Sequence, residues 1–184
     1  MKLNDKLHWD GFIYGLVYPG FVGSMIYELI PATKADATFS NYFTFDTLTK
    51  IVITLFYCTD YLHLYGDIHP KTKPEDRSWT YLWCDVLSSL FFFLAFVMVK
   101  LQHYQFSLYF ISVIPLFFMT YKWENLTDRY FHIPYLALSL LFAIFISKES
   151  VSMLLYFSLV SFAIYLVYVF YYHDNYVCKD KSLK

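Results

Sequence analysis

The chain has 184 residues, 58% of them hydrophobic and 16% charged, with a formal net charge of −1. Ordinary soluble domains run at about 45–50% apolar and about 25% charged, so this composition argues against one. A net charge this close to zero gives no electrostatic basis for binding nucleic acid.

The charges gather between apolar runs of spanning length. That pattern predicts an all-α, polytopic transmembrane helical bundle of about six spans with no soluble domain. The whole chain reads as a single integral membrane domain. Its first apolar run is long enough to span, and Asp5 and Asp10 precede it, so no cleavable signal is expected. Cys58, Cys84 and Cys178 have no metal or redox spacing and read as buried or free thiols. Twelve lysines against two arginines fit an A/T-rich prokaryotic genome.

The first predicted span covers residues 12–30. Gly11, Gly15, Pro19 and Gly23 recur every four residues and form one ridge, a surface on which another helix backbone can approach closely. Pro19 followed by Gly20 predicts a kink midway. Glu28 falls near the far end, where it snorkels to the interface. Residues 31–47 form a polar connection with scattered aromatics, suited to the headgroup region.

The second and third spans, 48–66 and 79–99, flank a charged loop at 67–78 that Pro70 and Pro74 keep from being helical. Its charges (Asp67, Lys71, Lys73, Glu75, Asp76 and Arg77) make it the candidate docking loop for a cytosolic partner. The fourth span, 106–121, contains Pro115 as a second kink, and the fifth, 132–147, is short. The sixth, 151–172, has Tyr165, Tyr168 and Tyr172 on one face, which predicts an interfacial aromatic belt.

Six spans put both termini on one side. With them fall Lys2, Lys6, Lys71, Lys73, Arg77, Lys122, Arg129, Lys179, Lys181 and Lys184, against Lys34, Lys50, Lys100 and Lys148 opposite. The positive-inside rule then places both termini in the cytoplasm and the protein in the inner (cytoplasmic) membrane. The Asn125-Leu126-Thr127 sequon is cytoplasmic in that topology and unused.

Two acids interrupt the apolar runs on either side of the charged loop. Asp60 stands six residues before Gly66 and Asp85 six after Trp79. At 1.5 Å per residue, both lie roughly 9 Å deep from the same side. Intramembrane acids are costly and mark a functional site by default. His63 shares a helix face with Asp60, and Ser88, Ser89 and Tyr81 share one with Asp85. The candidate polar intramembrane site is therefore Asp60, His63, Asp85, Ser88 and Ser89.

Four readings fit these residues. They can form a proton or cation pathway with His63 titrating near neutrality, or a metal site. They can also perform acid/base chemistry on a lipid-soluble substrate, or simply pair to fix helix register. No His-Glu-x-x-His, Gly-x-Ser-x-Gly, P-loop or dinucleotide fingerprint occurs, and His63 and Asp67 are one residue short of a His-x4-Asp spacing. No catalytic residue, cofactor or metal is assigned. The expectation is a small channel-like or transport-like component in the lipid bilayer, a homo-oligomer through the glycine ridge. It would act as a signalling or defence component beside a cytosolic protein. A membrane-embedded enzyme using the same Asp and His residues, with or without a metal, is the alternative.

Overall fold

Long apolar runs become helices here, and the first is shaped by its proline. The computed structural model describes residue 9 and residues 11–30, 43–64, 79–121 and 150–172, together with 133, 136, 137, 139–141 and 144. Every regular element among these residues is helical, and none is a strand. The charged loop with Asp67, Lys71, Lys73, Glu75, Asp76 and Arg77 lies outside the described residues. So do Cys178, the sequon and most of the predicted fifth span.

A π-turn, Ile13–Val17, leads into α1, Tyr18–Leu29. The Tyr18 N–H reaches five residues back to the Ile13 carbonyl. Pro19 has no N–H to offer. The Tyr14 carbonyl therefore has neither its i+4 nor its i+5 helical donor. The Tyr61 hydroxyl, from the next helix, donates to it at 3.1 Å. The irregularity expected at Pro19-Gly20 thus takes the form of a π-turn whose displaced carbonyl is satisfied from outside.

Helix α2, Phe45–His63, starts three residues earlier than its apolar run suggests. Thr44 caps it: its Oγ1 accepts the Thr47 N–H at 3.2 Å, and Asp46 occupies the first turn. Within α2, Thr49, Thr54 and Thr59 each donate to the carbonyl four residues back, so their hydroxyls are satisfied locally. Helix α3, Trp79–Lys100, and helix α4, Tyr104–Tyr121, are joined by the tight turn 101–103. Gln102 there has φ 63°. Its N–H reaches the Val99 carbonyl and the His103 N–H that of Met98, the two bonds of a Schellman ending. Helix α5 is Val151–Tyr172.

Side-chain contacts give the helix directions. Tyr57 meets Ser89 and Phe56 meets Phe92, so α2 and α3 are antiparallel. Phe21 stacks on Phe93 and Glu28 pairs with Lys100, so α1 and α3 are parallel. Phe56 contacts Phe162 while Asp60 meets Tyr165, so α2 and α5 are also parallel. The Ser107 hydroxyl donates to the Ala95 carbonyl at 2.8 Å and closes the α3–α4 hairpin. The Glu28–Lys100 pair and the Tyr104–Asp46 bond mark one end of the packed helices. Asp60, His63 and Asp85 lie toward the other.

Two helical stretches, Leu82–Lys100 and Val151–Phe170, are long and apolar enough to cross a membrane, each with mean hydropathy 2.2. Among the described residues no other helix meets that measure, so helix length and composition support two spans. Helix α2 carries Asp46, Lys50 and Asp60 within its 19 residues.

Candidate functional site

Asp60, His63, Asp85, Ser88 and Ser89 are all buried, with Asp60 1%, His63 4% and Asp85 2% exposed. Their helices bring them into two adjoining clusters. The first lies between α2 and α5. There the Tyr165 hydroxyl donates to Asp60 Oδ1 at 2.7 Å, and the His63 ring stands edge-on to Tyr165 and Tyr168 at 6.4 and 6.0 Å. The second lies between α1, α2 and α3. The Tyr18 hydroxyl donates to the Asp85 main-chain carbonyl at 3.2 Å and lies 3.5 Å from Ser88 Oγ. Ser88 itself donates to the same carbonyl at 3.0 Å. The Tyr57 hydroxyl is hydrogen-bonded to Ser89 Oγ and also reaches the Tyr18 carbonyl at 3.5 Å.

Tyrosines join the clusters. Tyr18 stacks on Tyr14, Tyr57 and Tyr61 with ring centroids 5.5, 5.2 and 5.2 Å away. Each such pair adds about 0.5–1.5 kcal/mol beyond simple burial, so together they match a buried hydrogen bond to a charge. The result is one seam of carboxylates, phenols, serine hydroxyls and an imidazole. Hydroxyls both donate and accept, so each can satisfy a buried partner from either side.

Tyr165 and Tyr168 do not form the interfacial belt expected of them. Each is 3% exposed and turned onto α2, where the Tyr165 hydroxyl meets the buried Asp60 and the Tyr168 ring packs edge-on against His63. Tyr18 and Tyr57 are the members of these clusters that sequence reasoning missed. The matched i, i+4 tyrosine pairs, Tyr14/Tyr18 and Tyr57/Tyr61, were the available signal. The side chain of Tyr81 lies outside the described residues.

Among the described residues, no other helix packs onto the glycine ridge. A Cβ at Gly11, Gly15, Gly20 or Gly23 would meet nothing within 4 Å. Among the described residues, no three His, Cys, Asp or Glu side chains converge as a metal-ligand set. Cys58 and Cys84 are unbridged.

The site defines the protein by architecture: a helical bundle enclosing an acid–phenol–imidazole seam. No family model, curated protein or solved structure matches the chain.

Proposed function

We propose that this chain is a multi-pass protein of the cytoplasmic membrane, with six spans and both termini in the cytoplasm. In this reading it is a channel-like or transport-like component that moves protons along the Asp60–His63–Asp85 seam. The carrying observation is the burial of two acids inside helices whose outer faces are apolar, Asp60 holding the Tyr165 hydroxyl on its carboxylate and Asp85 holding those of Tyr18 and Ser88 on its main-chain carbonyl. Leu16, Leu62, Val160, Val167 and Phe170 are all more than half exposed, as expected of surfaces that meet lipid rather than water. Helix α5 carries no charged residue over its 22 positions. Acids in such a setting line substrate or ion pathways.

Proton flux into liposomes holding the purified protein tests the proposal, at pH 6 and pH 8. Asp60→Asn and Asp85→Asn are expected to abolish the flux while the protein still assembles. Absence of flux in the wild type, or undiminished flux in the double variant, overturns it.

A further inference from the structure

A groove runs along α1 beside the C-terminal half of α3. It encloses about 620 Å³ beside Gly20 and Gly23 on one wall and Phe93 and Phe96 on the other. The glycines keep it open, since a Cβ at either would meet nothing within 4 Å. Phe93 is held in its wall by stacking on Phe21 at 4.6 Å. At the groove's end, Lys100 Nζ meets Glu28 Oε1 at 2.8 Å, with the side chains 48% and 37% exposed. That contact uses one of three ammonium donors and one of two carboxylate oxygens, so Lys100 can still bind an anion and Glu28 a cation.

We propose that the groove binds one phospholipid with an ethanolamine headgroup. Its phosphate rests on Lys100, its ammonium on Glu28, and one acyl chain lies along Gly20 and Gly23. This rests on the membrane reading above. The headgroup carries an anion and an N–H-donating cation side by side, the complement of the Lys100–Glu28 pair. A choline headgroup has no N–H to donate to Glu28. A glycerol headgroup has no cation for Glu28, so its phosphate would leave a net negative charge on the Lys100–Glu28 site. A half-exposed ion pair contributes little by itself, so sharing it with a headgroup sacrifices little. The phenylalanine wall suits hydrocarbon, and the glycines let a chain lie against the helix backbone.

Native mass spectrometry of the detergent-purified full chain, titrated separately with phosphatidylethanolamine, phosphatidylcholine and phosphatidylglycerol, tests this. One phosphatidylethanolamine per chain is expected, retained at least tenfold better than the other two. Gly23→Leu, which fills the groove, and Glu28→Gln, which removes the negative charge facing the ammonium, should each weaken retention at least tenfold. Glu28→Gln alters a half-exposed side chain and keeps the test intact should Gly23→Leu not assemble. Equal retention of the three lipids, or unchanged retention in Glu28→Gln, overturns the proposal. So does a Gly23→Leu variant that loses a dimer instead of a lipid, which would make a second copy of the chain the occupant. Release of the wild type from membranes by alkaline carbonate would instead refute the membrane reading itself.

Discussion

Replacing Tyr165 with phenylalanine removes one oxygen and leaves the ring against Phe56, whose centroid is 5.1 Å away. What is lost is the 2.7 Å donation to Asp60 Oδ1. Hydrogen bonds to charged groups contribute about 1.5–3 kcal/mol in proteins. Polar pairs between membrane helices average about 0.6 kcal/mol and reach about 1.7. The burial of both partners places this bond toward the upper part of the second range, so Tyr165→Phe should cost about 1–2 kcal/mol. Equilibrium unfolding in mixed micelles, driven by a denaturing detergent, reads that change directly. The same substitution in an Asp60→Asn background isolates the charge. Asparagine keeps an acceptor oxygen without the charge, so there the loss should shrink by about 1 kcal/mol. A Tyr165→Phe variant within about 0.3 kcal/mol of wild type, or strict additivity in the cycle, would show that the bond does not hold the seam together.

Two further outcomes follow from the backbone. Tyr61→Phe should destabilise by about 1–2 kcal/mol, because the Tyr14 carbonyl loses its donor from α2. In a Pro19→Ala background, where the helix regains an N–H, that penalty should fall below about 0.5 kcal/mol, which the same unfolding assay detects as non-additivity. Gln102→Gly should raise the unfolding free energy by about 0.5–1 kcal/mol, since glycine accepts φ 63° without the side-chain clash and gives back only part of the gain as unfolded-chain entropy. An unchanged or lower value would mean that the Gln102 side chain itself contributes at the turn.

The apolar runs made the helical class legible, because the charges that delimit them fall at helix ends. Lys100, for example, closes both the apolar run and α3. The early start of α2 was also readable, in the Thr44 cap and Asp46, once cap chemistry is weighed against hydropathy alone. Burial of Asp60, His63 and Asp85 could be anticipated from carboxylates and an imidazole amid apolar residues. Their partners could not. A tyrosine is amphipathic, and among 19 tyrosines spacing alone does not distinguish a ring at an interface from one whose hydroxyl reaches an acid 105 positions away. Which carbonyl Pro19 would displace depended on the π-turn, and a π-turn leaves no mark in composition.

The Asp60–Tyr165 bond has a consequence for how the chain is made. The α3–α4 hairpin closes through neighbours, with Ser107 and Ala95 only 12 residues apart, and can form soon after both are synthesised. Asp60 must wait for a phenol 105 residues downstream. At 5–20 residues per second, that interval is about 5–20 s. Through it the acid stands beside helices already in place, held from its final partner by the pace of the ribosome. A chain that stalls before α5 therefore lacks the hydrogen-bond donor that the finished bundle brings to that carboxylate from its last helix.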